Sequence, residues 1–420
     1  MKPTDALPHP NDWQTAIVGN AIEIKRGVSW SKDQEHSAPY DGAVRVIGIS
    51  NVQEQLDLDK VLYLSGVKRK AIEKKRVEKG WSVIVGSNGN RQRIGNAVFV
   101  AEDSEFLFAS FLIAAKPKQE SAITPEFFFR WLRTEQVQAY LSASSEGSTG
   151  LSNLSHSFFR SMSIAFPESD QQTAIARILD AVDKAIERAR DALIQAKGLR
   201  KALVEDFFVR RDAAQKRLKD YITDVRYGTS QASSERGWGN PVLRIPNVVS
   251  DQLTLSDIAY VDLRPVDVER LLLQDGDLLL VRTNGNPNYV GRSAVFHTPD
   301  NRTWVYASYL IRVRLTAGLS SDYVNIFLGS ERGRRELLRR VTTSAGNHNI
   351  NANSIRLLSI PVPLNKAAQQ ELVDLANASR ARAEAFGNKL AALEALKKSL
   401  MHDLLTGTVR VADCDINPPP

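Results

Sequence analysis

The chain repeats itself, and the repeat constrains its fold more than any single motif does. Ile49-Ser-Asn-Val52 returns as Ile245-Pro-Asn-Val248, 196 residues later. Ser87-Asn-Gly-Asn90 with Ile94-Gly95 returns at the same offset as Thr283-Asn-Gly-Asn286 with Val290-Gly291. Phe108-Ala-Ser-Phe-Leu-Ile113 matches Tyr306-Ala-Ser-Tyr-Leu-Ile311. Ser148-Thr-Gly followed by Asn153-Leu154 matches Ser344-Ala-Gly followed by Asn349-Ile350. Ser163-Ile164, Pro167 and Gln171-Gln172 match Ser359-Ile360, Pro363 and Gln369-Gln370. Matches in constant order at a nearly constant offset mean a duplicated domain. A period near 200 residues is far too long for a solenoid.

Each copy follows one plan. Short runs rich in Val, Ile, Phe and Tyr, such as Val44 to Ile49, Trp81 to Val85 and Ala97 to Val100, are punctuated by Gly, Asn and Ser and read as strands and loops. One helix is expected near Pro125 to Tyr140, and its counterpart near Asp322 to Val341. A long amphipathic helix closes each copy. In the first, Ile175, Leu179, Val182, Ile186, Ala189, Leu193, Ala196, Leu199, Leu203 and Phe207 fall three or four apart. In the second, Leu372, Leu375, Ser379, Arg382, Phe386, Leu390, Leu393, Leu396, Leu400 and Leu404 do the same, with Ser379 and Arg382 interrupting the stripe. A helix of roughly 39 residues is a rod of roughly 58 Å. Each rod must bury its stripe, and the other rod is the natural partner. The fold expected is therefore α+β: two tandem globular α/β domains joined by two long helices that form an antiparallel coiled-coil spacer. The predicted boundaries are 1–168 and 214–365 for the globular domains, 169–213 and 366–407 for the helices, and 408–420 for a tail.

Composition narrows the class. Of 420 residues, 43% are apolar and 25% charged, ordinary values for a globular protein. No apolar run approaches the ~20 residues of a membrane span, and the N-terminus shows no secretory signal. The single cysteine, Cys414, excludes an intramolecular disulfide or a thiolate metal cluster, so a cytosolic protein is expected, without a membrane partner. Net charge is +7 with a pI near 9.3, which suits a polyanionic partner. The excess is modest, however. Residues 1–168 hold 20 basic and 19 acidic side chains, and residues 217–365 hold 18 and 14, every base but Lys219 being arginine. Any polyanion surface must come from local clustering.

A search for catalytic chemistry returns nothing. The six histidines are scattered without metalloprotease spacing. There is no Gly-x-Ser-x-Gly elbow and no phosphate loop of the Gly-Lys-Ser/Thr type. Asp12 followed by Glu23-Ile-Lys25 has the loose spacing of a metal-dependent nuclease. Its counterpart Asp224-Val-Arg226 keeps the charges but not the chemistry, which implies a strand of alternating charge. The terminal Asn417-Pro-Pro-Pro420 lacks the aromatic of a base-gripping Asn-Pro-Pro loop and reads as a tail. No catalytic residue and no metal site is expected.

Binding chemistry is easier to place. Lys68, Arg69, Lys70, Lys74, Lys75, Arg76 and Lys79 crowd into twelve residues and suit phosphate contacts, or simply a solvated face. Arg332, Arg334, Arg335, Arg339 and Arg340 pose the same choice. More pointed are two paired loops. One carries Ser87, Asn88, Asn90, Arg91 and Arg93; the other carries Arg282, Thr283, Asn284, Asn286 and Asn288. Asn, Gln and Arg pair bidentately with adenine and guanine edges. Asn-Gly is also the commonest tight hairpin turn, and for Asn88-Gly89 and Asn284-Gly285 the turn is the reading preferred. For Arg91, Arg93, Arg282 and Asn288 contact is preferred. The loops Ser148 to Asn153 and Ser344 to Asn349, with Asn347 and Asn349, are further polar candidates.

Taken in order, these parts resemble the specificity subunit of Type I restriction–modification systems over almost the whole chain. The residues carrying the resemblance are Trp13, Ile17 and Ile24-Lys-Arg-Gly27, then Ser87-Asn-Gly with Ile94-Gly95, then Ser148-Thr-Gly with Asn153-Leu154. Ser163-Ile-Ala-Phe-Pro167 and Gln171-Gln172 follow, and the chain closes with Leu400-Met-His-Asp-Leu-Leu-Thr-Gly407 and Val409-Arg-Val411. The proline pairs usual around the Gln-Gln helix starts are reduced here. The resemblance implies two target recognition domains, each reading one half of a split asymmetric site in double-stranded DNA. It implies that the helices set the gap and dock two methyltransferase subunits, which use S-adenosylmethionine to methylate adenine N6. Two translocase–endonuclease subunits, using ATP and Mg, would complete the restriction enzyme. This chain itself would bind no cofactor. The competing reading is a free-standing sequence-specific DNA-binding regulator with a coiled-coil spacer.

Overall fold

The computed structural model describes residues 7–102, 106–147, 150–210, 213–235, 237–344 and 346–411. Ser148 and Thr149, Cys414 and the Asn417-Pro-Pro-Pro420 motif lie outside them. The chain divides into two units, Met1–Arg188 with Lys389–Pro420, and Ala189–Asn388. Among the described residues, no helix is long and apolar enough to cross a membrane.

In the first unit a four-stranded antiparallel sheet runs in the order Ile22–Arg26, Leu112–Pro117, Ser82–Val85, Ala97–Phe99. Ser82 to Val85 and Leu112 to Ala115 are buried throughout, so they read as continuous apolar runs rather than alternating ones. A second sheet, Glu35–His36, Leu62–Leu64, Val44–Ile47, Leu107–Phe108, ends in a parallel pair. Gln14–Ile17 pairs with Ser163–Phe166, tying the start of the domain to the strand before the long helix. The second unit repeats the plan. Its four-stranded sheet is Ile222–Tyr227, Leu310–Leu315, Asp277–Val281, Ser293–Phe296, and Ala213–Arg217 pairs with Ser359–Pro363. The charge-alternating segments read from sequence are edge strands of these sheets. Asp224 there pairs with the buried Arg312 and with Arg226.

The single helix expected in each copy is two. Pro125–Leu132 is followed by Glu135–Ala143, and Ser321–Gly329 by Glu331–Leu338. The break is a capping event. Thr134 Oγ1 accepts from Val137 N–H at 3.4 Å, and Ser330 Oγ accepts from Gly333 N–H at 3.1 Å, each starting a new helix inside an unbroken apolar pattern.

The recurring motifs act as latches. Asn51 is buried and bonds Gly48 N–H and the carbonyls of Asp57 and Lys60; Asn247 does the same with Arg244, Thr254 and Ser256. In the Gln-Gln pairs one amide is buried. Gln172 accepts from Thr124 N–H at 2.7 Å and donates to Ala122 and Pro167 carbonyls. Gln369 accepts from Ser320 N–H at 2.8 Å and donates to Gly318. By role Gln172 therefore corresponds to Gln369, one residue off the pairing of Gln171 with Gln369 that sequence matching proposes.

The long helices are Ser169–Arg210 and Lys366–Leu405, close to the predicted spans. In the first unit Ile175 and Leu179 of one and Leu404 and Leu405 of the other join a single core. In the second unit Val204, Phe207 and Phe208 of one and Leu372, Val373 and Ala376 of the other join its core. Of the predicted stripe, Ile175, Leu179, Ile186, Ala189, Ala196, Phe207, Leu372 and Leu404 are buried and Val182, Leu193, Leu203, Leu375, Phe386, Leu390, Leu393 and Leu400 are half-buried, whereas Leu199 and Leu396 are exposed. Two corrections follow. Val204, not Leu203, takes the deep position near the end of the first helix, where packing shifts onto the aromatic cluster of Phe207, Phe208 and Phe327. Where Ser379 and Arg382 seemed to interrupt the second, the small Ala376 and Ala383 are the buried residues.

An ionic network fixes these helices in the first unit. The buried Arg130 guanidinium, from Pro125–Leu132, bonds both Asp180 and Asp183, and Asp183 also pairs with Lys397 at 2.6 Å. Burial opposes ionisation of Asp183, but Arg130 and Lys397 together hold its carboxyl below the usual range. Arg130→Met should therefore destabilise the chain by roughly 2 kcal/mol at neutral pH, because Asp180 and Asp183 lose their buried cation and Asp183 keeps only Lys397. A lowered folded pKa means that this contribution is complete above the unfolded value of about 3.9 and is lost as pH falls through the folded one. Thermal unfolding of variant and parent should accordingly converge in acid and diverge at pH 7.

Candidate nucleic-acid interface

Three recurring loops meet in each unit, and main-chain hydrogen bonds join them. In the first unit the Phe111 carbonyl accepts from Gly86 and Ser87 N–H at 2.8 and 2.9 Å, and the Gly86 carbonyl accepts from Leu154 N–H at 2.7 Å. In the second the Tyr309 carbonyl accepts from Arg282 N–H at 2.8 Å, and the Arg282 carbonyl accepts from Ile350 N–H at 2.9 Å. Short strands extend the seam. Ser87–Asn88 pairs with Ser152–Asn153, and Thr283–Asn284 pairs with Asn347–Asn349, which also pairs with Thr342–Ser344. Loops separate in sequence thus form one surface per unit, seated on the buried Leu154 and Ile350.

The tight hairpin expected at Asn88-Gly89 and Asn284-Gly285 is not formed. Both dipeptides lie inside longer connections, 86–94 and 282–290, and neither glycine takes the positive φ such a turn demands. The asparagine side chains fold the loops instead. Asn88 Oδ1 accepts from Asn90 N–H at 2.8 Å, and Asn90 Oδ1 from Gln92 N–H at 3.0 Å. Asn284 Oδ1 accepts from Asn286 N–H at 2.9 Å, and Asn286 Oδ1 from Asn288 N–H at 3.0 Å. These are Asx turns, in which the oxygen mimics a backbone carbonyl. Among the described residues, the Nδ2 groups of Asn88, Asn90, Asn284 and Asn286 make no hydrogen bond, so four amide donors remain for a ligand. The second loop uses its own asparagines similarly: Asn349 Nδ2 donates to the Asn347 carbonyl at 3.1 Å.

The arginines divide by role. Arg91 bonds the carbonyls of Ser142, Ala143 and Ser145, closing the C-terminus of Glu135–Ala143. Arg93 bonds the carbonyls of Ile49 and Val52. Both guanidiniums are thus engaged within the fold. In the second unit the direction is reversed. Arg334, on Glu331–Leu338, donates back to Val290 and Asn288 in the loop. The loop and helix approach closely at this seam: Gly95 (φ +91°) and Gly291 (φ +72°) face Leu141 and Leu337, where an added Cβ would lie 2.9 and 2.2 Å from those side chains. Arg332 and Arg340 also turn inward, to the Phe208 carbonyl and to Glu336. Arg282 is different. It stacks over the Tyr227 ring at 4.8 Å, with only a long contact to the Ser308 carbonyl.

The equivalent corner of the first unit holds Arg26 and His156. Burial lowers the His156 pKa, and Arg26 and Arg160 add to the effect, so the imidazole is neutral at physiological pH. Of the lysine cluster, Lys75 donates to the Gly27 carbonyl at 2.8 Å, and Arg69 pairs with Glu73 in solvent. Lys68, Lys70 and Lys74 are exposed and carry no ion pair among the described residues. The nuclease-like carboxylates are paired: Asp12 with Arg410 at 2.6 Å, and Glu23 with Lys25 at 3.8 Å. Among the described residues, no three His, Cys, Asp or Glu side chains are grouped to hold a metal.

One pair of residues escaped the sequence reading. Phe111 is 49% exposed and Tyr309 56%, although Leu112 and Leu310 beside them are fully buried. Their signal was present in the repeat of Phe108 to Ile113 as Tyr306 to Ile311, but an aromatic in an apolar run reads as core.

Comparison with known proteins gives concordant matches. Residues 10–196 match the family model described as the Type I restriction modification DNA specificity domain. The chain is 25% identical over 383 residues to the Type I restriction enzyme EcoKI specificity subunit of Escherichia coli K12, covering 87% of this chain and 81% of that one. It is 23% identical over 382 residues to the StySPI specificity subunit of Salmonella potsdam, covering 87% and 81%. The S subunit of a Type I restriction–modification system from M. genitalium shares the fold with a TM-score of 0.57 at 13% identity, covering 96% of this chain and 98% of that one.

The engaged arginines and exposed rings should separate in a stability measurement. Arg91→Ala is expected to cost roughly 1 kcal/mol, because helix carbonyls lose their donor. Phe111→Ala should stay within about 0.5 kcal/mol of the parent, as surface substitutions do. An unchanged unfolding midpoint for Arg91→Ala would free that guanidinium for a ligand.

Proposed function

The chain belongs to the family of Type I restriction–modification specificity subunits, and from that premise we propose how it reads DNA. Residues 1–168 and 214–365 act as two target recognition domains, each reading one half of a split, asymmetric double-stranded site. The observation that carries this reading is the duplicated three-loop surface. Two of its main-chain hydrogen bonds recur at equivalent positions in both units, while the loops differ in part of what they display, Arg91, Gln92 and Arg93 standing where the other has Pro287, Asn288 and Tyr289. Two half-sites of unlike sequence require that combination. Unengaged asparagine amides supply donors for base edges, and Lys68, Lys70 and Lys74 supply phosphate contacts that add affinity without sequence information.

The helices over 169–213 and 366–407 act as an antiparallel coiled-coil spacer. Two neighbourhoods support this. In the first unit Asp183 meets Lys397, and in the second Arg200 lies beside Arg380, which lowers the pKa of the latter together with the larger effect of burial. The spacer docks two methyltransferase subunits that use S-adenosylmethionine to methylate adenine N6, and two translocase–endonuclease subunits that use ATP and Mg complete the restriction enzyme. In this reading the chain works in the cytoplasm, binds no cofactor, and leaves all catalysis to its partners.

Long-read modification sequencing of host DNA, with the chain present and deleted, tests the assignment. A bipartite adenine-methylated motif should vanish on deletion; a methylation pattern that persists unchanged overturns it. The spacer has its own test. Four residues inserted in register in each long helix add about 6 Å, close to two base pairs, so the unread gap should lengthen by one or two. Active complex with an unchanged gap would end the ruler idea.

A further inference from the structure

We propose that Phe111 and Tyr309 are equivalent base-reading residues, one in each recognition surface, and that each ring contacts a thymine 5-methyl group in the major groove. The inference rests on the reading of the chain as a DNA specificity subunit, and deepens it. Four observations carry it. First, both residues are about half exposed and hold the same motif position in the two copies. Second, the backbone beneath them is fixed. The Phe111 carbonyl holds Gly86 and Ser87, the Tyr309 carbonyl holds Arg282, and the next residue in each copy, Leu112 or Leu310, is fully buried. The rings therefore stand on rigid turns rather than mobile loops. Third, neither side chain is tied into the fold by an aromatic-ring contact or a hydrogen bond among the described residues. Fourth, each lies directly beside an Asx-turned loop whose Asn Nδ2 donors match the purine N7 and O6 acceptors of the major groove.

The chemistry of the ring then selects its target. A phenyl group cannot bond a phosphate, and Phe111 has no donor or acceptor at all. In the major groove the apolar feature that distinguishes one base pair from another is the thymine methyl. A ring held among amide donors thus reads thymine while its neighbours read purines.

The test uses the chain assembled with its methyltransferase partners, on duplexes carrying its own bipartite site. Phe111→Ala and Tyr309→Ala should each weaken specific binding by about tenfold. Binding to unrelated DNA should not change, and neither should the slope of log affinity against log salt, because no counterion contact is lost. Replacing thymines one at a time by deoxyuridine should reveal one position per half-site that costs the parent complex several-fold and costs the matching alanine variant nothing more. Tyr309→Phe should bind like the parent. Equal losses on specific and unrelated DNA, indifference to every deoxyuridine, or a loss in Tyr309→Phe as large as in Tyr309→Ala would each overturn the proposal. Unchanged thermal unfolding of the alanine variants excludes misfolding as the cause. A parent complex without sequence preference would instead defeat the functional reading on which the proposal stands.

Discussion

A long amphipathic helix has a stripe that it cannot bury by itself, and here that constraint organises the chain. The largest core of each unit includes side chains from both long helices. The first unit takes Ile175 and Leu179 from the beginning of one helix and Leu404 and Leu405 from the end of the other. The second takes Phe207 and Phe208 from the end of the first and Leu372 from the beginning of the second. The core of each unit therefore draws on both copies of the sequence. Arg130 adds direction to the packing: a buried cation that needs two carboxylates one helical turn apart admits only one rotation of the helix that bears them.

Within each unit the repeated motifs hold backbone, and the residues between them are left to vary. Asn51 and Asn247, Gln172 and Gln369, and the paired Asx turns all use side-chain amides as substitutes for main-chain groups. Such latches fix loop shape without relying on what the loop displays. That separation is what allows two surfaces of one geometry to carry Arg26 and His156 in one case and Tyr227 and Arg282 in the other.

Much of this was legible in the sequence, because duplication and apolar periodicity are signals spread over many residues. The long helices and the central strands could be read from their patterns. What could not be read depended on partners distant in the chain or on a single polar atom. Thr134 and Ser330 divide a helix with one hydroxyl each, inside a pattern that periodicity counts as continuous. Arg91 looked like a base-reading residue because its partners lie some fifty positions away, at Ser142 to Ser145. Asn-Gly suggested a hairpin turn, but the hydrogen bond through Asn Oδ1 gave the loop another way to fold. Phe111 resembled a core residue because sequence reports hydrophobicity and is silent on which side of a turn a ring emerges.

The seam between the Asn-Gly loop and its neighbouring helix has a consequence for how such recognition surfaces can be exchanged. In the first unit the cation comes from the loop and Gln138 of the helix donates to the loop's Gly95 carbonyl. In the second, Pro287 stands in the loop and the cation comes from the helix as Arg334. Transplanting only loop 86–94 into the second unit would crowd two guanidiniums onto one seam. The reverse graft would leave the seam with none. The heritable module of specificity is therefore larger than the surface that touches the ligand: recombination that preserves a working reader has to move the loop together with the helix behind it.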